Sequence, residues 1–231
     1  MIPLLGPHDP FPPIERALRQ PNGLLAAGGS LTVPHLIEAY RRGIFPWFSA
    51  GDPVLWWSPD PRMVLFVDEF RPSRSLAKRL RRGDYEVTAD RAFAGVLQGC
   101  AQPRRNDQGT WLVPQMMRAY ERLHAAGVAH SIEVWMDGAL AGGLYGVALG
   151  RAFFGESMFA RRTDASKIAF AHLVAQLARW AFPLIDCQMS TMHLASLGAR
   201  EVSRAAFARL IEPLVGQQGI AAPWRLDTRG G

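Results

Sequence analysis

The sequence predicts an α+β fold: helices packed on a mixed, largely antiparallel sheet, preceded by a small N-terminal domain. Three observations predict it. First, strand-like runs at about Ala129–Met136, Ala139–Ala148 and Arg151–Met158 follow one another at hairpin spacing, with Asp137-Gly138 and Leu149-Gly150 between them. Asp-Gly between two strand patterns is a strong two-residue hairpin signal. Second, a helical pattern and a further apolar run, Phe182–Met189, come next, which adds a helix layer and another strand to that meander. Third, residues 1–60 are unlike the rest, rich in Pro and Gly with one clear helix. The break divides the chain into a small domain, 1–61, and a larger one, 62–231.

Each element has a local reason. The first helix is expected at about Pro34–Arg42, with Thr32 as N-cap and Pro34 suited to the first turn. Leu36, Ile37 and Tyr40 give it an apolar side and Gly43 ends it. Trp47, Trp56 and Trp57 then crowd a turn-rich stretch, either as an aromatic surface or as the core of a small subdomain. From Arg62 the pattern becomes regular. Met63–Val67 reads as a strand, Ser73–Arg82 as a basic helix and Tyr85–Thr88 as a short strand. Arg91–Gln98 reads as a helix with Phe93, Val96 and Leu97 inward. A polar loop, Gln102–Gly109, leads to a helix opened by Pro114 and stopped by Gly127. Within the second hairpin strand, Gly142-Gly143-Leu144-Tyr145-Gly146 reads as a bulge or close backbone approach, not a phosphate cradle. Asp164 or Ser166 caps a mainly apolar helix reaching about Trp180, Ser203 caps a last helix to about Ile211, and Gly216–Gly231 reads as an irregular tail.

Composition narrows the function classes. At 231 residues and 48% hydrophobic, the chain can bury a sizeable core. It has no run of about 18 apolar residues and no basic-then-apolar leader. Its two cysteines, Cys100 and Cys187, are too few for a disulfide framework. A cytoplasmic, monomeric protein with reduced thiols and no membrane partner is expected. The scattered His residues give no zinc spacing, so neither metal nor cofactor is expected. Of the net charge of +6, much sits in Arg71, Arg74, Lys78, Arg79, Arg81 and Arg82. That run is either a solvated helix face or a patch that contacts nucleic-acid phosphates.

Two strand-like runs carry polar side chains that strand cores disfavour. One is Ala152-Phe153-Phe154-Gly155-Glu156-Ser157-Met158-Phe159 and the other Leu184-Ile185-Asp186-Cys187-Gln188-Met189. A buried polar group costs roughly 1–3 kcal/mol unless it is hydrogen-bonded. Residues i and i+2 share one face of a strand, so Asp186 and Gln188 are expected side by side, with Cys187 pointing away. A carboxylate beside an amide orients it and holds its oxygen towards an incoming N–H donor, and Glu156 reaches the same space from a neighbouring strand. The other reading is a buried polar network that fixes the sheet. Cys187 reads as a structural residue, because an adjacent carboxylate raises a thiol pKa.

At these residues a family resemblance appears. Tyr40-Arg41-Arg42-Gly43-Ile44-Phe45-Pro46-Trp47-Phe48, Trp56-Trp57-Ser58-Pro59-Asp60-Pro61-Arg62, His130-Ser131-Ile132-Glu133-Val134-Trp135, Gly155-Glu156-Ser157-Met158-Phe159 and Ile185-Asp186-Cys187-Gln188 resemble, in order, leucyl/phenylalanyl-tRNA–protein transferase. The similarity runs from about Gln20 to about Ile211. The resemblance implies a GNAT-like acyltransferase domain after the small N-terminal one. It implies transfer of Leu or Phe, and more weakly Met, from aminoacyl-tRNA to proteins with N-terminal Arg or Lys, marking them for degradation. It implies that Asp186 and Gln188 are the catalytic pair and that Glu156 positions the aminoacyl-adenosine. Trp47 and Trp111 would pack around the terminal adenosine. Leu144, Phe153, Met158, Phe170 and Ile185 would wall the pocket for the transferred side chain. Arg74, Lys78, Arg79, Arg81 and Arg82 would hold the tRNA acceptor stem. Against an acyl-CoA acetyltransferase, the stretch Ala160-Arg161-Arg162-Thr163-Asp164-Ala165-Ser166 lacks the glycines of a pyrophosphate loop.

Overall fold

The computed structural model describes residues 2–102 and 112–227, apart from the side chain of His193. Trp111, most of the polar loop and the last four residues of the tail lie outside the described residues.

Short strands build a first sheet that the sequence reading did not anticipate. They are β1 (Leu4–Leu5), β2 (Leu24–Gly28), β3 (Phe45–Pro46) and β4 (Leu55–Trp57), in the order β1-β2-β4-β3. Strands this short, broken by Pro and Gly, show no period-2 alternation to read. Between β2 and β3 runs α1 (Val33–Arg41), with Leu36, Ala39 and Tyr40 buried. Thr32 stands at the cap position, but its hydroxyl lies 3.1 Å from that of Ser30 and makes no bond to a helix amide.

The second sheet has seven strands among the described residues. In chain order they are β5 (Arg62–Phe66), β6 (Glu86–Ala89), β7 (Ala129–Met136), β8 (Ala139–Leu149), β9 (Ala152–Ala160), β10 (Leu184–Gln188) and β11 (Arg200–Val202). They lie in the order β11-β5-β10-β9-β8-β7-β6. The expected meander is β7-β8-β9, all antiparallel, and β10 then joins β9 in parallel after a helical crossover. This is the α+β arrangement expected, a mixed and largely antiparallel sheet flanked by helices.

Alternation along the strands sorts the core into two layers. Val64, Tyr145, Phe154 and Leu184 face α1, α3 (Phe93–Ala101), α4 (Pro114–Ala125) and α7 (Arg204–Val215). Their neighbours Met63, Leu65, Leu144, Phe153 and Ile185 face α2 (Arg74–Arg82) and α5 (Ala165–Arg179). Asp164 takes the cap position of α5 in a left-handed conformation, and a four-residue helix, α6 (Met192–Ala195), follows β10. The last helix outruns its expected end. It passes Pro213 to Val215, because Ile211 and Val215 both bury against the sheet. The described part of the tail, 216–227, has no regular structure, yet it is not loose: Trp224 is buried, stacks on His130 at 3.9 Å, and donates its backbone N–H to Asp90 at 2.7 Å.

Candidate active site

The site forms where β9 and β10 part. Their parallel pairing reaches only Phe154 and Asp186, and beyond that point each strand carries a bulge. On β9, Gly155 and Ser157 face the adjacent residues Gly146 and Tyr145, so Glu156 is the extra residue. On β10, Asp186 and Gln188 face the adjacent Val64 and Met63, so Cys187 is extra. A bulge bends its strand and re-aims the side chains beside it. The close backbone approach expected in the glycine run is seen at Gly146, where a Cβ would sit 2.3 Å from the Phe154 carbonyl oxygen.

The wedge between the two strands is a cavity of about 550 Å³. Leu144, Phe153, Met158, Phe170 and Ile185 line it, as do Trp47, Glu156, Asp186 and Gln188. Every site residue expected at the aminoacyl end therefore meets in one cavity, except Trp111, which lies outside the described residues. Trp47 is 39% exposed and set edge-on to Trp57 at 5.4 Å. The Trp57 indole N–H donates to the Trp47 carbonyl at 2.6 Å, which fixes this loop.

Polar groups gather on one side of the cavity. Glu156 Oε1 accepts from the Gln188 side-chain amide at 2.8 Å and lies 2.7 Å from the Tyr40 hydroxyl. Glu156 Oε2 lies 2.5 Å from the Tyr120 hydroxyl, and the two hydroxyls are 2.8 Å apart. Burial pushes the Glu156 carboxyl up to about 7; the hydrogen bonds that Tyr120 and Tyr40 can donate to its ionised form pull it back, and the charge of Asp186 adds to the rise. Burial, then the Glu156 charge, also raises both tyrosines well above their ordinary value. The sequence reading did not find Tyr40 and Tyr120 as site residues. Each sits on an apolar helix face, and only the tertiary fold brings them to β9.

Asp186 is placed differently from the expectation. It is fully buried and held by Arg62, whose Nε and Nη2 donate to its two oxygens at 2.8 and 2.7 Å. The guanidinium also donates to the Gly43 carbonyl at 3.1 Å and lies over the rings of Phe45 and Phe207. Asp186 Oδ1 accepts the Gln188 backbone N–H at 2.9 Å, where Gln188 has a left-handed φ of 61°. The expected side-by-side carboxylate and amide is thus replaced by a split arrangement: Asp186 holds the Gln188 backbone and Glu156 holds its side chain. The same bulge cancels the alternation that would turn Cys187 away, and Cys187 lines the cavity. Burial and the neighbouring Asp186 push its thiol well above the ordinary range, so it stays protonated.

The basic helix α2 lies away from the cavity lining, anchored by Leu76 in the layer that contains α5. Ser73 caps it, accepting from the Leu76 N–H, and Gly83 ends it with φ of 65°. Arg79 and Arg82 both pair with Asp84, the latter at 3.0 Å, while Arg74, Lys78 and Arg81 are exposed at helical spacing. Among the described residues no cluster of His, Cys, Asp or Glu could hold a metal, and no helix is long and apolar enough to cross a membrane.

Comparison with known proteins gives the family. The family described as leucyl/phenylalanyl-tRNA protein transferase matches residues 64–212, and its N-terminal domain matches residues 29–60. A leucyl/phenylalanyl-tRNA–protein transferase of Nitrosospira multiformis is 60% identical over 98% of this chain and 98% of its own. That of Chromobacterium violaceum is 61% identical over 90% of this chain and 89% of its own. Among solved structures, one titled "The structure of L-PGS from Bacillus licheniformis" has a TM-score of 0.46 at 10% identity, covering 84% of this chain and 74% of that one, a likeness too slight to bear on function. The chain belongs to the leucyl/phenylalanyl-tRNA–protein transferase family.

Proposed function

We propose that the wedge between β9 and β10 holds the aminoacyl end of a charged tRNA while an acceptor amine attacks it. The enzyme moves Leu or Phe, and more weakly Met, from aminoacyl-tRNA to the α-amine of proteins with N-terminal Arg or Lys. The product carries an N-degron that marks it for degradation. One observation supports placing the reaction in the wedge: apolar walls and the Glu156–Gln188 pair border a single cavity in the part of the chain that matches the family.

The chemistry asks for alignment more than activation. The ester is already reactive, and an α-amine with a pKa of about 7.7–8.0 is appreciably neutral at cellular pH. Holding amine and ester together is the larger contribution. Gln188 gives one amide N–H to Glu156, which leaves its amide oxygen to accept from the attacking amine. As the new C–N bond forms and the C–O bond breaks, one proton leaves the amine and one reaches the departing 3′-oxygen. Asp186, committed to Arg62, is a positioning residue that holds the Gln188 backbone, and Glu156 positions the aminoacyl-adenosine. Trp47 and Trp111 pack the terminal adenosine. Leu144, Phe153, Met158, Phe170 and Ile185 shape the side-chain pocket, which excludes β-branched residues by shape. A methylene's difference there is worth about 1–3 kcal/mol, which fits some transfer of Met. Arg74, Lys78, Arg79, Arg81 and Arg82 bind acceptor-stem phosphates, with Arg74, Lys78 and Arg81 foremost because they are exposed while Arg79 and Arg82 are engaged by Asp84.

Residues 1–61 form the small domain and 62–231 the catalytic one, in a cytoplasmic monomer. Incubation with labelled Phe-tRNA and an Arg-initiated peptide tests the reading. Labelled peptide is expected, and its absence with the tRNA intact would overturn it.

A further inference from the structure

Proton counting constrains the Glu156 cluster. Three oxygen–oxygen contacts close a ring: Glu156 Oε2 to Tyr120 at 2.5 Å, Tyr120 to Tyr40 at 2.8 Å, and Tyr40 to Glu156 Oε1 at 2.7 Å. Each contact of this length needs one proton between its oxygens. The two tyrosines supply only two, because a phenol carries a single O–H. An ionised Glu156 would leave one contact with lone pairs facing each other. A neutral Glu156 supplies the third proton. The Gln188 amide sets the direction: its donation to Oε1 at 2.8 Å marks that atom as the carbonyl oxygen and places the acid proton on Oε2.

We propose that in the free enzyme below neutral pH Glu156 is un-ionised and closes a one-way ring, Glu156 to Tyr120 to Tyr40 and back, which makes both tyrosines positioning residues for the Gln188 amide. The surroundings favour this state. Burial raises the Glu156 carboxyl to about 7 and keeps Tyr40 and Tyr120 protonated. The other groups facing it are Tyr145 of β8, itself raised by burial with Cys100 of α3 contributing, and Asp186 of β10. Asp186 is paired with Arg62 of β5 at 2.7 Å, and Cys187 beside it is a protonated thiol. Among the described residues of these elements, no cation therefore faces Glu156 directly. The ring stands on geometry alone; its consequence for transfer rests on the role proposed above for Gln188. With the ring intact, Oε1 is always an acceptor, so the Gln188 amide cannot flip without losing its partner.

Infrared spectroscopy of the free protein, labelled with ¹³C-carboxyl glutamate and titrated from pH 6 to pH 9, tests the ring. An isotope-shifted band of an un-ionised carboxylic acid is expected at pH 6, fading as pH passes about 7 and missing in Glu156→Gln. In Tyr120→Phe the band should move, because Oε2–H loses its acceptor. Tyr40→Phe and Tyr120→Phe should each lower the single-turnover rate about tenfold with tRNA saturating, the effect of one lost hydrogen bond. A Glu156 that shows only carboxylate at pH 6 in the labelled wild-type protein overturns the ring, whatever the activity of Gln188→Ala. An acid band together with a fully active Gln188→Ala supports the ring and instead overturns the role given to Gln188.

Discussion

Replacing Glu156 by Gln should flatten a specific part of the protein's pH–stability curve. The side chain is buried, and its carboxyl rises from an ordinary 4.5 to about 7 on folding. The folded state therefore binds a proton that the unfolded chain has already released. That contribution is fully present below pH 4.5 and is lost as pH rises through 7. At about 1.4 kcal/mol per pH unit, the loss between pH 5 and pH 8 is on the order of 2–3 kcal/mol. Gln keeps the size, one donor and one acceptor, but carries no titrating proton. Urea melts at the two pH values give the measurement. With an m-value of about 2–3 kcal/mol/M, the wild-type midpoint should fall roughly 1 M further than the variant's on going from pH 5 to pH 8. The comparison cancels every other titrating group. If the midpoints of the two proteins keep a constant separation across that range, Glu156 does not bind its proton more tightly in the folded state and the burial argument is wrong.

Other perturbations have equally definite expectations. Gln188→Ala should slow single-turnover transfer about 10- to 100-fold with tRNA binding nearly unchanged; a full rate would remove Gln188 from the chemistry. Trp47→Ala should weaken binding of a 3′-aminoacyl-adenosine analogue by about 1–3 kcal/mol, read by calorimetry. Arg62→Met leaves Asp186 buried without its partner and should cost about 3–5 kcal/mol of stability; recovery of much of that loss in Arg62→Met with Asp186→Asn would confirm that the stranded charge is the cause. Gly146→Ala forces a Cβ towards the Phe154 carbonyl and should destabilise by more than the ordinary 1 kcal/mol of a point change, with activity falling alongside as the β9 bulge shifts.

The larger sheet was legible because its signals are local. Asp137-Gly138 and the alternation on either side of it read directly as β7 and β8. Pro114 and Ser203 marked helix starts that the fold keeps. The site was legible in part. Glu156, Asp186 and Gln188 stood out as polar groups in apolar strands, and all border the cavity. Their relations were not legible, because simple alternation assumes an unbroken strand. The bulges at Glu156 and Cys187 break it and turn Asp186 towards Arg62 while Gln188 meets Glu156. Arg62 read only as a motif's end, and Tyr40 only as helix core and a motif's start. Such partners lie 116 and 124 positions from the groups they serve, beyond any local pattern.

The stacking of Trp224 on His130 has a consequence for how the chain is made. Asp90, on which the Trp224 backbone docks, precedes it by 134 positions. During synthesis β7 therefore has its neighbours β6 and β8 long before its last cover emerges from the ribosome. Until then the indole's place against His130, Phe153, Trp180 and Phe182 stands open to solvent. Completion of this side of the protein thus waits on a segment made after every strand of the sheet. A nascent chain halted just before Trp224 would present an apolar hollow, the kind of surface that chaperones hold and proteases find.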